Sequence, residues 1–126
     1  MLSAKNRLKK KKDFENVFKK GKGYKENFLY LKILKNNLKT SRFGFVVSKK
    51  FSPQATIRNK IKRRLSDLVR LKITYLKKNI DGIIIVLPGL KINDFWELEL
   101  IVDNLFLKAD LIKKPTPNTQ HLTPNV

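Results

Sequence analysis

Five cations fall within the seven residues Arg58-Asn59-Lys60-Ile61-Lys62-Arg63-Arg64, and Ser48-Lys49-Lys50 precedes them by a short connector. On a helix Arg58 and Lys62 stand one turn apart, as do Asn59 with Arg63 and Lys60 with Arg64. The cations therefore wrap whatever surface the apolar positions Ile57, Ile61, Leu65 and Leu68 leave free. Each like-charge pair at this spacing costs an isolated helix roughly 0.2 to 0.5 kcal/mol. Asp67 is the only acid between Lys49 and Lys78, so the chain supplies almost nothing to neutralise the run. A solvated basic face is the ordinary reading of such a helix. The missing counter-charge favours a phosphate backbone, with Ser48, Lys49, Lys50, Arg58, Asn59, Lys60, Lys62, Arg63, Arg64 and Arg70 as candidate nucleic-acid-binding residues.

Other chemistries find few residues to work with. Cysteine is absent, which removes disulfides and thiolate metal sites. The one histidine, His121, lies in a Pro/Thr/Asn-rich terminal stretch where no packed catalytic site is expected. Neither clustered carboxylates for metal ions nor a positioned base is evident, so a nuclease acting alone is not supported, and neither catalytic nor metal residues are assigned. Aromatics offer a second kind of contact. Phe14 and Phe18 stand with Val17 at helical spacing, and Tyr30 shares a strand face with Phe28 and Lys32. Such rings either fill a core or stack a base beside the cations, and the pattern alone divides these evenly. Trp96, in an acidic stretch, reads as packing.

The elements that must carry these residues follow from periodicity. Phe14, Val17 and Phe18 mark a short first helix that Gly21 can end, and residues 28–34 read as a strand. Asn36-Asn37 should turn the chain into a second strand over 42–49, expected to lie antiparallel beside the first. Ser52 or Thr56 caps a helix running to about Arg70. After the turn Asn79-Ile80-Asp81-Gly82, residues 83–87 form a strand apolar enough to be covered on both faces. Asn93 then caps a helix with Asp94 and Glu97 in its first turn and Leu98, Ile101, Val102 and Leu105 facing inward. The order is α-β-β-α-β-α, with room for one further strand. Half of the ten acids sit in the last helical region, so the anion-binding face must lie elsewhere.

Size and charge set the frame. The chain has 126 residues and 41% apolar content, which suits one folded domain, placed over 1–112, with residues 113–126 as a disordered tail. A formal charge of +19, from 29 Lys and Arg against 10 Asp and Glu, exceeds what solubility requires and predicts a polyanionic partner. No apolar run is long enough to span a bilayer, and no secretory signal follows the basic N-terminus, so a cytoplasmic location is expected.

It is at Ser48-Lys49-Lys50 and Arg58-Asn59-Lys60-Ile61-Lys62-Arg63-Arg64 that the chain resembles the bacterial ribonuclease P protein family. The first helix with Asp13-Phe14, Val17-Phe18 and Gly21, the strand Arg42-Phe43-Gly44-Phe45-Val46-Val47, the strand Asp81-Gly82-Ile83-Ile84-Ile85 and the region Leu105 to Ala109 resemble family elements in the same order. The resemblance implies an α+β fold, an α-β sandwich with a mixed four-stranded sheet, a left-handed βαβ crossover and three helices. It implies a partnership, one protein per RNA, with a catalytic RNA that uses magnesium to remove the 5′ leader of precursor tRNA; the protein itself would bind no cofactor firmly. It further implies a leader-binding cleft between the first helix and the sheet, assigned to Phe14, Phe18, Tyr30 and Arg42. Two positions depart from the family pattern. Lys60 replaces the usual second Arg, keeping the charge without the guanidinium fork, and Ile112 stands where many members carry a cleft aromatic. The rival readings are a ribosomal or other structural RNA-binding protein, which needs no cleft, and a DNA-binding helix module, which the flanking strands disfavour.

Overall fold

A computed structural model describes residues 2–88 and 95–112, with side chains from residue 97 in the second span. The expected cap Asn93, Asp94, the Trp96 side chain and the tail 113–126 with His121 lie outside the described residues. The elements run α1 (Lys11–Lys20), β1 (Lys22–Glu26), β2 (Leu29–Lys35), β3 (Arg42–Val47), α2 (Ala55–Lys72), β4 (Ile80–Val86) and α3 (Phe95–Lys108), with single 3-10 turns at Ala4–Asn6 and Ile73–Tyr75.

Four strands form one sheet in the order β1-β2-β4-β3. The further strand is β1, a hairpin partner of β2 whose two-residue loop places Asn27 at φ 52°, a conformation that asparagine tolerates better than most residues. The expectation that β2 and β3 are neighbours is wrong: β4 inserts between them, antiparallel to β2 and parallel to β3. The segment after β2 is therefore no hairpin turn. The Asn36 side chain organises it, donating to the Thr40 carbonyl and to Asp81 while accepting the Leu38 amide. Joined through α2, β3 and β4 make a βαβ unit, and the whole is the mixed four-stranded, three-helix α+β arrangement that the resemblance implies.

Strand alternation sorts the side chains into two layers. Leu29, Leu31, Ile84, Val86, Phe43 and Val47 face α2 and α3 and form the main core with Ile61, Leu65, Leu68, Leu98, Val102, Leu105 and Phe106. On the opposite face Val17 and Leu8 cover Ile83, with Phe14, Leu34, Val46 and Ile85 at the margin. This double coverage explains the continuous apolar run of β4. Helix α2 begins at Ala55 after Gln54, so neither Ser52 nor Thr56 is its N-cap; Ser52 instead accepts the Gln54 amide. The helix also runs past Arg70 to Lys72. At its other end α3 closes with a Schellman turn, Leu111 donating to the Phe106 carbonyl and Asp110 to that of Leu107, with Asp110 at φ 59°.

Two acids of α3, Glu99 and Asp103, point inward onto Lys72, whose ammonium, at 0% exposure, lies 2.9 Å from Glu99 Oε1 and 3.2 Å from Asp103 Oδ1. Ile112, at the expected cleft position, is buried in the main core.

Candidate nucleic-acid interface

β3 is an edge strand, and its outer edge is where the site forms. The N-terminal segment docks along the beginning of that edge. Leu8 donates its amide to the Phe43 carbonyl at 3.0 Å, Arg7 bridges Phe43 in parallel sense, and Asn6 donates to the Ser41 carbonyl at 2.8 Å. Beyond Phe43 the edge opens into a groove of about 600 Å³. One wall is α2, presenting Asn59, Lys62, Arg63 and Ser66; the other is Arg7, Leu8 and Lys9 with the Phe14 ring, and the floor is Phe43-Gly44-Phe45. The groove is thus cationic on both rims and apolar below, which suits a strand with charged phosphates and stackable bases.

Glycine at position 44 is needed for this shape. A Cβ there would meet the Phe14 ring at 2.5 Å, so only a bare backbone lets the ring lie against the strand. The same logic recurs on the other side of the sheet's outer face. Tyr30 reaches across β1, with its hydroxyl where a Cβ of Gly23 would stand.

The predicted leader residues are not gathered in one place. Phe14 lines the groove, whereas Phe18 and Tyr30 do not. Phe18 is 39% exposed near the end of α1, where its carbonyl accepts a 2.6 Å hydrogen bond from Lys32 of β2. Arg42 has a structural task. It donates Nε and Nη2 to the two carboxylate oxygens of Asp81, at 2.9 and 2.6 Å, and Nη1 to Asp13 at 3.3 Å, fastening α1 to β3 and β4. The Asp81 hydrogen bond, opposed by partial burial and aided by both carboxylate charges, holds the guanidinium pKa above its ordinary value.

The predicted RNA-binding residues divide as well. Asn59, Lys62 and Arg63 line the groove; Lys60 and Arg70 are exposed elsewhere on α2, and Arg64 is half-buried. Arg58 is turned back, donating to the Ser52 carbonyl at 2.8 Å and so fixing the loop before the helix. Lys49 and Lys50 are exposed in the turn after β3, which the Ser48 hydroxyl secures by accepting the Phe51 amide. Sequence reasoning missed Arg7 and Lys9 as groove residues, although their place in a basic N-terminal run was a usable signal. It also missed Lys72, whose only signal was a lysine on the apolar stripe, four residues beyond Leu68.

No group of three or more His, Cys, Asp or Glu that could hold a metal ion occurs among the described residues. Nor is any described helix long and apolar enough to cross a membrane.

Comparison with known proteins decides the family. The family model described as Ribonuclease P matches residues 2–110. The chain belongs to the ribonuclease P protein family. Curated relatives named ribonuclease P protein component include those of Alkaliphilus metalliredigens, 33% identical over 88% of this chain and 99% of the relative, and of Pseudanabaena, 35% identical over 89% and 97%. Among solved structures, the ribonuclease P protein of Thermotoga maritima superposes with a TM-score of 0.69 at 29% identity, covering 81% of this chain and 96% of the other. That of Staphylococcus aureus gives 0.76 at 23% identity over 85% and 97%, a likeness of fold alone. The chain is accordingly a protein component of ribonuclease P, and its cationic surface has an RNA to meet. A purely structural RNA-binding role is not favoured.

Proposed function

We propose that this component binds the catalytic RNA subunit of ribonuclease P together with the 5′ leader of precursor tRNA, and that the RNA performs the magnesium-dependent hydrolysis that frees the mature tRNA 5′ end. The observation that carries this reading is the groove itself: the basic face of α2 and the aromatic N-terminal half of α1 line one cleft over the open edge of β3. A helix that only bound RNA would need no ring opposite its cations. Here Lys62 and Arg63 hold phosphates of one RNA while Phe14 offers a face to an unpaired base.

Phe18, exposed farther along α1, and Tyr30 on the same sheet face extend the stacking surface for the leader, and Arg42 serves it by holding α1 in place. Ser48, Lys49, Lys50, Lys60, Arg64 and Arg70 add charge toward the RNA subunit, which one protein accompanies. The protein contributes position and electrostatic neutralisation, and the metal ions act with the RNA. Reconstitution with a bacterial ribonuclease P RNA tests this. At low magnesium, cleavage of leader-bearing precursor should rise sharply when the protein is added, while the protein without RNA should cleave nothing. Cleavage by the pure protein, or no stimulation of the RNA, refutes the proposal.

A further inference from the structure

The groove does not end at the N-terminal segment. Arg7 and Lys9, which form one of its rims, also line a second depression of about 420 Å³ on the other side of that segment, between the start of α1 and the connection from β2 to β3. Lys5, Lys39 and Thr40 of this second depression in turn line a third, of about 240 Å³, closed by Lys77 and Lys78 after the last turn of α2. Three depressions thus share walls in succession, and every shared wall carries at least one cation. The only carboxylate lining any of them is Asp13, which already holds Arg42. In the third, Lys77 has an exposed ion pair with Asp110, a contact that solvent weakens, and the exposed Thr74 contributes a hydroxyl group.

We propose that the three depressions are one track for the phosphodiester backbone of single-stranded RNA, running from the α2 groove past the N-terminal segment to Lys39, Lys77 and Lys78. The inference rests on the RNA-binding reading of the first groove and extends it to a surface on the far side of residues 5–9. A single small anion is the poorer ligand, because the lysines come from separate loops and are spread along the path instead of converging on one point. A polymer with regularly repeated charge meets them in turn. Lysine suits such contacts, since a flexible point charge reads no sequence. Two strands have this chemistry, the distal part of a tRNA leader and a single-stranded segment of the RNA subunit.

The test uses the full chain, its Lys39→Gln/Lys78→Gln double variant, and a control pair, Lys25→Gln/Lys35→Gln, which removes the same charge from exposed lysines that line none of the depressions. Binding is measured by anisotropy with a short oligouridylate that fills the first groove alone and with one several times longer, circular dichroism confirming the fold. The track variant should lose about 5-fold in affinity for the long strand per contact near 0.1 M salt, and about 0.7 of salt slope per contact, while binding of the short strand and both affinities of the control hold. Equal losses for short and long strands, or the same loss in the control, overturn the track. If the unaltered protein binds neither strand, the RNA-binding reading fails and the track with it. The source is then separated by two arms, each supporting the proposal: a loss that grows with leader length in precursor tRNA identifies the leader, and weaker assembly with the RNA subunit identifies that RNA. A loss in neither arm overturns the track as a part of the working ribonucleoprotein.

Discussion

Phe18 is the residue at which the proposed leader recognition separates most cleanly from general RNA affinity. Its ring is 39% exposed and belongs to neither apolar cluster, so truncation removes little packing. Phe18→Ala should therefore leave thermal stability nearly unchanged. It should weaken binding of leader-bearing precursor by roughly 1 to 3 kcal/mol, the worth of one stacked base. Mature tRNA and the RNA subunit, which lack that base, should bind as before; equal weakening for precursor and mature tRNA would refute the stacking role. Arg42 contrasts with Phe18. Arg42→Lys keeps the charge but cannot span both Asp81 oxygens and Asp13, so α1 should loosen and the melting temperature fall. The folded-state pKa of Arg42 is raised, so its contribution is complete below the unfolded-state value and is lost only as pH rises through the folded one. The stability gap between Arg42→Gln and the unaltered chain should then stay flat from neutral to moderately alkaline pH; a gap that closes there would show that another group governs it. The ring at position 18 was legible as a spacing, and its exposure was not, because Leu8, Val17 and Phe14 already fill the apolar seam beneath α1.

At the scale of elements, α2 carries two functions on two faces. On one face Lys62 and Arg63 line the groove, and Lys62→Gln with Arg63→Gln should flatten the salt dependence of assembly with the RNA subunit by about 0.7 to 0.9 units each without unfolding the protein. An unchanged slope in a folded variant would remove these side chains from the interface. The opposite face ends in Lys72, enclosed by Glu99 and Asp103 of α3. Lys72→Ala leaves two acids buried without their counter-ion, and the expected loss is about 3 to 5 kcal/mol in urea unfolding. A cost below 1 kcal/mol would mean that the acids reach water when the lysine is gone. These elements show what sequence pattern resolves. Helix stripes and strand alternation were readable, since each is set by one element's own period. The place of β4 between β2 and β3 was not, because strand order depends on which edges meet across the sheet, and Asn36-Asn37 looks like a hairpin turn whether or not a strand lies beyond it. The site was half legible for the same reason. The cations of α2 announce themselves, but their meeting with Phe14, Arg7 and Lys9 over Gly44 is a product of topology.

For the whole molecule, a charge of +19 on a chain of this size is tolerable only because the cations are dispersed over helix faces, loops and the N-terminal segment around two apolar layers. The last described residues pack into the core that this charge surrounds. Leu111 and Ile112 are buried in the main core, and the Schellman turn at Asp110 directs them there. Lys77 supports the same stretch, its amide donating to the Leu111 carbonyl at 3.0 Å. Nothing after Ile112 in the sequence offers comparable material. The stretch from Lys114 to Val126 contains three prolines and few apolar residues, a composition with little apolar surface to bury. Truncation after Lys113 should accordingly leave the melting temperature and the stimulation of the RNA subunit unchanged. Truncation after Asp110 removes two buried aliphatic side chains, each worth about 1.5 to 3 kcal/mol of burial, and should lower the melting temperature markedly. Thermal unfolding of the two shortened chains beside the full one checks both limits. A fall already present in the longer truncate would place the edge of the domain beyond residue 113.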